Sequence, residues 1–235
     1  MTNLKILSGG AAQGLVTSLA PTFKAQTGLD ISGEFGAVGA MAEKLRKGAP
    51  TDLVILTAAL VANLAEAKLV IPSSRSDIGV VETALAVRQG DPKVLVQNAA
   101  DLREALSASD AIFVPDTKVS TAGIHVAKVL AQLGIADAVA ARLKIYPNGA
   151  TAMHHLAGSD AKRPIGCTQS TEIISTEGVV LSGPLPIGCE LSTMYTAGVT
   201  TRAVNARQAQ ALIELLTSAD ARELRNRAGF FSAKK

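Results

Sequence analysis

Short apolar runs alternate with helical stretches through the first third of the chain. Residues 4–8 form an apolar run that ends in two glycines, which is typical of a buried strand. Residues 12–27 carry apolar side chains at a helical spacing, and Gly28 follows them as a C-cap glycine. The order then repeats, with strands predicted over 29–35 and 52–56, a helix opened by Gly36 and Gly39, and a helix over 58–68. Strands that alternate with helices imply a parallel sheet covered by helices on both faces.

A polar break at residues 71–77 separates this series from a second one. The second series predicts strands over 80–87, 111–114, 143–146, 163–167 and 178–181, helices over 121–133 and 150–156, an extended run over 190–199, and one or two helices over 204–227 with Ser218 as N-cap of the second. Two such series predict an α/β fold with two lobes, residues 1–80 plus 198–235 and residues 81–197. We expect a ligand cleft between the lobes, closed by a hinge at the two crossings near 80–87 and 190–199.

The composition excludes several other classes of protein. Of the 235 residues, 48% are hydrophobic and 18% charged, whereas disordered chains combine low hydrophobicity with high charge. The net charge of +3, with five Phe, two Tyr and no Trp, predicts no nucleic-acid partner. No apolar run approaches the roughly 20 residues that a membrane span needs. We expect a monomer without a membrane span.

The first residues lack the basic start, long apolar stretch and cleavage site of an export signal. We therefore expect a cytoplasmic location for the chain as it stands, or a periplasmic one if a signal has been removed. Cys167 and Cys189 are too few for a disulfide scaffold, and Cys167 reads as a small buried residue rather than a nucleophile.

Small residues stand at three strand-to-helix junctions, where unpaired backbone N–H groups and the positive end of the helix dipole attract anions. A single junction of this kind is better explained by ordinary turn chemistry, but three of them, divided between two lobes, shift the balance towards an anion site. The predicted ligand-binding residues at these junctions are Ser8, Gly9, Gly10, Ala11, Val38, Gly39, Ala40, Thr121, Ala122 and Gly123.

Other polar residues extend this predicted set. Gln169, with Thr168 before it, ends the GCTQS strand and either donates to the anion or caps the next helix. Thr57 presents the same two alternatives, and Tyr195 either reaches the cleft or packs the hinge. The remaining members, Asn148 and Gly149, stand before the helix predicted over 150–156.

No dinucleotide, P-loop or nucleophile-elbow motif occurs, and we expect neither a cofactor nor a metal. The adjacent His154 and His155 diverge by about 100° on a helix, which is poor geometry for a metal. They form a half-exposed helix face or, in the sharper interpretation, supply a catalytic base near the cleft.

The run GAVGAMAEKLRKGAPTDLVILTAA resembles bacterial molybdate-binding periplasmic proteins, and GIADAVAARL, NGATAMHHLAGSD and GCTQSTEI fit the same plan. The resemblance covers nearly the whole chain, and the GAPTD turn is its most specific part. It implies a type II periplasmic-binding-protein fold, with two α/β lobes joined by two strands.

The resemblance also implies where the chain departs from molybdate binding. The family places hydroxyl donors at the first and second junctions, where this chain has Gly10 and Val38, and a tyrosine where it has Gln169. Each missing donor costs on the order of 1–3 kcal/mol of binding, and Val38 adds apolar surface. An organic anion such as a carboxylate therefore fits better than molybdate.

One branch of this family, that of aconitate isomerase, is similar in these places, since the chain has GGAAQ, AVGAM, VILT and QSTEI. This similarity implies proton transfer on a tricarboxylate, which needs a base of tuned pKa and donors for the developing enolate. Glu172 and Tyr195 join His154 and His155 as candidates for that chemistry.

Three functions follow from these patterns. The first is a binding protein that closes on a small organic anion and, if exported, delivers it to an ABC transporter permease. The second is an isomerase of a di- or tricarboxylate that uses the same cleft. A ligand-sensing domain comes last, because the chain carries no helix-turn-helix.

Overall fold

The computed structural model describes residues 3–231. The chain divides into two units: unit 1 comprises the residues before Glu82 and after Ser192, and unit 2 comprises Glu82–Ser192. The predicted boundaries lay after residues 80 and 197. Each unit has its own hydrophobic core, built around its own set of strands.

The elements alternate between strand and helix over most of the described residues. The strands are β1 (Leu4–Gly9), β2 (Ile31–Gly36), β3 (Leu53–Thr57), β4 (Ser76–Arg88), β5 (Ala111–Pro115), β6 (Leu143–Tyr146), β7 (Pro164–Gln169), β8 (Val179–Pro184) and β9 (Ser192–Val199). The helices are α1 (Gln13–Thr27), α2 (Val38–Arg46), α3 (Ala58–Glu66), α4 (Ala99–Ala108), α5 (Thr121–Gln132), α6 (Ala136–Val139), α7 (Gly149–Ala157), α8 (Ser170–Ile174), α9 (Ala206–Thr217) and α10 (Arg222–Arg227). The predicted α/β class is confirmed.

In unit 1, β1 lies between β2 and β3 and is parallel to both, while β9 pairs with β3 in the antiparallel direction. The carboxyl ends of the three parallel strands therefore share one edge of the sheet. Helix α1 buries the predicted stripe of Leu15, Val16, Leu19 and Phe23. It ends at Gly28, whose φ of 74° is the left-handed conformation that a C-cap glycine adopts at little cost.

Asp52, in the GAPTD turn, ties together three segments of unit 1. Its carboxylate accepts the backbone N–H groups of Lys5 (2.9 Å), Val204 (2.8 Å) and Asn205 (2.9 Å), and the Asn205 side-chain amide at 3.2 Å. Asn205 is the N-cap residue of α9, so the aspartate supplies the acceptor that this helix N-terminus needs. The most specific motif of the sequence thus has a structural function.

In unit 2, β7 lies between β4, which is antiparallel to it, and β5, which is parallel. Strand β6 continues the parallel side, and β8 pairs with the other edge of β4. Helix α5 packs against β5 and β7, and α7 packs against β5, β6 and β7. The carboxyl ends of β5, β6 and β7 again share one edge, and α5, α7 and α8 begin there.

The structure contains a helix that the sequence pattern did not predict, and it corrects one predicted helix cap. The unpredicted helix is α4, which the Asn98 side chain caps by accepting the N–H groups of Ala100 and Asp101. Ser218 does not cap the last helix, because α10 begins at Arg222 after N-cap residue Ala221. The Ser218 hydroxyl instead accepts the Ala221 N–H and closes the preceding turn.

Among the described residues, no single helix is both long enough and apolar enough to cross a membrane. Helix α5 passes that test only together with the segment Ala136–Arg142, from which it is bent by 118°.

Candidate functional site

The predicted ligand-binding residues of unit 1 lie where its parallel strands end. Ser8 and Gly9 end β1, and Gly10 and Ala11 begin a short 3₁₀ turn that leads into α1. The Ser8 hydroxyl is fully buried and donates to the Gly9 carbonyl at 2.9 Å. A ligand at this junction would therefore meet backbone groups and small side chains, because the Ser8 hydroxyl is already used in a hydrogen bond within the chain.

Gly9 is held between two other predicted site residues. A Cβ atom at this position would lie 2.7 Å from Cγ1 of Val38 and 2.9 Å from Cε1 of Tyr195. Only glycine fits there without a shift of its neighbours. Tyr195 is buried and packs edge-on against Phe230, with ring centroids 6.1 Å apart. The fold thus brings Gly9, Val38 and Tyr195 together from β1, α2 and β9.

The N-terminus of α2 offers backbone donors. Its N-cap residue, Ala37, has no side chain that could cap it, and the first backbone hydrogen bond runs from Met41 N–H to the Ala37 carbonyl. The N–H groups of Val38, Gly39 and Ala40 precede that bond, as expected for the first turn of a helix. Val38 is buried, so an anion at this junction would meet backbone N–H groups beside an apolar side chain.

Thr57 caps a helix in the structure. Its hydroxyl accepts the Leu60 N–H at 3.4 Å, at the start of α3, and its Cα pairs with that of Tyr195 across β3 and β9. The sequence left open whether Thr57 binds the anion or caps the next helix, and the contact in the structure is the helix cap.

At the α5 junction of unit 2, the N-cap residue Ser120 makes no side-chain hydrogen bond to the helix. Thr121, Ala122 and Gly123 form the first turn, before the bond from Ile124 N–H to the Ser120 carbonyl. A Cβ at Gly123 would overlap the carbonyl oxygen of Asp116, so this glycine is also required by close packing.

The N-terminus of α7 is already occupied by groups of the protein. Asn148 caps the helix by accepting the Thr151 N–H at 2.8 Å. The Glu172 carboxyl accepts the N–H groups of Gly149 and Ala150. A Cβ at Gly149 would overlap Glu172 Oε2 and Thr168 Oγ1, so the glycine lets the carboxyl reach the helix end. An internal carboxyl thus takes the place that an anionic ligand would have at this helix.

Glu172 is buried in the first turn of α8. It also accepts the Gln169 N–H and the hydroxyl of Thr168, at 2.6 Å from Oγ1 to Oε2. Burial raises the pKa of the Glu172 carboxyl above that of an ordinary glutamate, although the four hydrogen bonds act in the opposite direction. The carboxyl therefore holds its proton more tightly than an ordinary glutamate does.

At the carboxyl end of β7 and the start of α8 lies a group of buried polar side chains that we call the unit 2 polar cluster, namely Thr83, Gln169, Ser170 and Thr171. Their hydroxyl groups and both polar atoms of the Gln169 amide have no hydrogen-bond partner within residues 3–231. Thr83 and Gln169 face each other across the antiparallel pair β4 and β7, so their side chains lie on the same face of the sheet. A buried polar atom without a partner is costly, which points to partners from outside the chain.

The two predicted catalytic histidines lie at the other end of α7. His154 and His155 are exposed in its last turn, and the His155 ring stacks on Tyr146 with centroids 4.3 Å apart. The structure does not bring them to the first turn, where Asn148, Gly149 and Glu172 meet.

Neither cysteine joins the site. Cys167 and Cys189 are free thiols buried in the core of unit 2. Burial raises the pKa of Cys167 to about 12, which keeps it a protonated thiol. Across the described residues, no group of three or more His, Cys, Asp or Glu side chains is arranged to hold a metal ion.

Sequence reasoning singled out Gln169 and Thr168, but not Thr83, Ser170 or Thr171. Thr168 and Glu172 stand four residues apart, so their contact across the start of α8 has a sequence signal. Thr83 has none, because it reaches Gln169 only through the pairing of β4 with β7.

Two α/β units, with helix N-termini gathered at the carboxyl ends of parallel strands, are typical of solute-binding proteins. The chain belongs to the family described as bacterial extracellular solute-binding protein, whose model matches residues 4–231. It is 27% identical over 232 residues to an aconitate isomerase of a Pseudomonas species, a match that covers 94% of this chain and 84% of that protein.

The fold is also shared with solved structures of low sequence identity. The periplasmic molybdate-binding protein of Azotobacter vinelandii is 18% identical, with a TM-score of 0.82 over 99% of this chain and 100% of that one. The sulfate-binding protein of Mycobacterium tuberculosis is 18% identical, with a TM-score of 0.77 over 98% of this chain and 86% of that one. The resemblances inferred from sequence, to molybdate-binding proteins and to aconitate isomerase, are confirmed.

Proposed function

We propose that this solute-binding protein binds a small organic anion, a carboxylate, through neutral donors. The observation that carries the proposal is the Gln169 amide, which is 3% exposed and has no partner within the described chain. An amide N–H group can donate to a carboxylate oxygen without bringing a fixed positive charge.

The junctions of unit 1 support the same class of ligand. They offer backbone N–H groups, but Gly10 and Val38 stand where the molybdate-binding relatives implied by the sequence have hydroxyl donors. A compact tetrahedral oxyanion needs many donors around a small volume. A carboxylate needs fewer donors for each oxygen, and its carbon skeleton is compatible with the apolar surface of Val38.

The partner that we propose is an ABC transporter permease, which would receive the ligand from an exported form of the protein. This role is supported by the description of the family, which is extracellular and solute-binding. The similar molybdate-binding protein of Azotobacter vinelandii is described as periplasmic.

An isomerase that moves a proton on a di- or tricarboxylate is the second candidate. It is favoured by the 27% identity to an aconitate isomerase and by the buried Glu172, because burial raises the pKa of this carboxyl and makes its ionised form a stronger base than an ordinary glutamate. In this reaction a base takes a proton from a carbon next to a carboxylate, and a proton returns at another carbon. Glu172 is a better candidate for the base than His154 or His155, because its carboxyl is buried in the first turn of α8, directly after Gln169 in the chain, whereas both histidines are exposed in the last turn of α7.

A thermal-shift screen tests the binding proposal. Purified protein is heated with molybdate, sulfate, and di- and tricarboxylates, and a ligand at 100 times its Kd stabilises the fold by roughly 2.7 kcal/mol. We expect stabilisation by a carboxylate, and loss of that effect in Gln169→Met but not in Gln132→Met, which changes an exposed glutamine of unit 2. Stabilisation by molybdate alone would refute the proposal.

The isomerase candidate is tested by proton exchange. A bound tricarboxylate such as aconitate is incubated with the protein in D₂O, and deuterium incorporation is followed by NMR. Catalysis through Glu172 predicts exchange with the wild type, loss with Glu172→Gln, and retention with the double variant His154→Ala/His155→Ala. Absence of exchange with the wild type eliminates the candidate.

A further inference from the structure

We infer that the ligand carries a hydrogen-bond donor, a hydroxyl group, beside its carboxylates, so that the substrate class is a hydroxycarboxylate. This inference rests on the proposed function and narrows it. It follows from the unit 2 polar cluster, whose unpaired atoms include an acceptor as well as donors.

The inventory of unpaired atoms in the cluster is mixed. The Gln169 Nε2 atom can only donate, and its Oε1 atom can only accept. The hydroxyls of Thr83, Ser170 and Thr171 can rotate to do either, so they adapt to whatever they meet. The Oε1 atom therefore requires a hydrogen-bond donor, because it can act only as an acceptor.

The protein does not supply that donor from within the cluster. The hydroxyls of Thr83, Ser170 and Thr171 are unpaired themselves, so none of them donates to Oε1 within the described chain. The Gln169 backbone N–H and the Thr168 hydroxyl are used by the Glu172 carboxyl. The conclusion does not depend on which way the amide is turned, since either orientation presents one oxygen and one NH₂ group.

A ligand made only of acceptors would leave this requirement unmet. Molybdate, sulfate and a fully ionised succinate can accept from Nε2 and from the hydroxyls, but they have nothing to donate to Oε1. A hydroxyl on the carbon skeleton donates to Oε1 while the neighbouring carboxylate accepts from Nε2. The amide thus reads a donor and an acceptor side by side, which is the arrangement in a 2-hydroxycarboxylate.

Isothermal titration calorimetry on matched ligand pairs tests the inference. Malate is compared with succinate, and citrate with tricarballylate, because the members of each pair differ only by one hydroxyl. We expect the hydroxylated member of at least one pair to bind about tenfold more tightly, which is about 1.4 kcal/mol. Gln169→Met should bring that ratio close to one, whereas Gln132→Met should leave it unchanged.

The outcomes separate this inference from the proposed function. If both members of every pair that binds have equal affinity for the wild type, the inference fails and carboxylate binding stands. If molybdate or sulfate binds and no carboxylate does, the proposed function fails and the inference fails with it. If Gln169→Met still prefers the hydroxylated ligand, the assignment of this preference to Gln169 is wrong. This comparison can be made as long as the variant binds both members of a pair.

Discussion

Among residues 3–231, each unit contains one buried carboxyl that accepts backbone N–H groups at the start of a helix, yet the pKa values of the two carboxyls are shifted in opposite directions. Asp52 in unit 1 receives the N–H groups of Lys5, Val204 and Asn205. Glu172 in unit 2 receives those of Gly149, Ala150 and Gln169. Although burial acts to raise it, hydrogen bonds hold the pKa of the Asp52 carboxyl below its usual value, whereas burial leaves the pKa of the Glu172 carboxyl above its own.

The difference follows from the surroundings of the two groups. Asp52 lines a surface cavity of about 440 Å³, and the hydrogen bonds from Lys5, Val204 and Asn205 outweigh the effect of burial on its pKa. Glu172 lies among the buried residues Thr168, Ser170 and Thr171. Hydrogen bonds of the same kind therefore favour a charged group in one place and fail to offset desolvation in the other. The first carboxyl ties segments of the fold together, and the second lies in the short helix that follows Gln169 directly in the chain.

Asp52→Ala should have the largest effect on stability, a loss of about 3 kcal/mol at neutral pH, because it leaves three backbone N–H groups and the Asn205 side-chain amide without their acceptor. The measurement is urea unfolding followed by circular dichroism. Asp30→Ala is the control, since Asp30 makes only an exposed ion pair with Lys24 and should cost little. Equal losses in the two variants would contradict the structural function of Asp52.

Gly149→Ala should cost about 2–3 kcal/mol, because its methyl group would overlap the carboxyl of Glu172 and the hydroxyl of Thr168. Gly158→Ala, at the other end of α7, is the matched control, since nothing lies within 4 Å of its Cβ position. The same unfolding experiment compares them. A tolerated Gly149→Ala would show that Glu172 does not approach the helix as described.

The amide variants Asp52→Asn and Glu172→Gln should differ in the sign of their pH dependence. The ionised Asp52 stabilises the folded state above pH 3.8, and that contribution is lost as the pH falls through its lowered folded pKa. Asp52→Asn should therefore cost about 1–2 kcal/mol at pH 7 and less in acid. Glu172 stabilises fully below pH 4.5, and its contribution is lost as the pH rises through its raised folded pKa.

Glu172→Gln stays neutral at every pH, so its stability relative to the wild type should improve between pH 4 and pH 7.5. Unfolding midpoints at several pH values measure both slopes. Glu104→Gln, an exposed change in α4, is the control with little slope. Slopes of the same sign for Asp52→Asn and Glu172→Gln would remove the contrast between the two carboxyls.

Thr168→Val should have the smallest effect, about 1 kcal/mol, because it removes one donor from the Glu172 carboxyl and keeps the shape of the side chain. Thr217→Val is the control, since its hydroxyl donates only to the Ile213 carbonyl one turn earlier in its own helix. The pH dependence adds a second readout, because loss of the Thr168 hydroxyl should raise the pKa of Glu172 further. A variant with unchanged stability and pH dependence would show that this bond contributes little.

The local patterns of the sequence predicted most of the fold. The stripe of Leu15, Val16, Leu19 and Phe23 has the 3.6-residue period of a helix face, and Gly28 marks its end. Helix α4 was missed although Asn98 carries a capping signal, because its apolar stripe consists mainly of Leu102 and Leu106. Two apolar residues are too few to establish a helical period, so the Asn98 cap is the stronger indication of this helix in the sequence.

The candidate site was predicted only in part. The glycine-rich junctions at Gly9 and Val38 are visible because small residues follow apolar runs directly. The close approach of Tyr195 to Gly9 is not visible, since β9 and β1 are separated by most of the chain. Histidine is a common general base, which is why the sequence points to His154 and His155, but their position in the last turn of α7 places them away from its first turn, where Glu172 lies.

The sequence by itself determined the α/β class, the order of the elements and the family resemblance, because periodicity, caps and turns act over a few residues. Only the tertiary structure decided which atoms are paired. It directed Glu172 to the N-terminus of α7, placed Asp52 at that of α9, and set Thr83 opposite Gln169. Hydrogen bonding and desolvation depend on groups that are distant in the chain, so the need of Gln169 for an outside partner emerges only after folding.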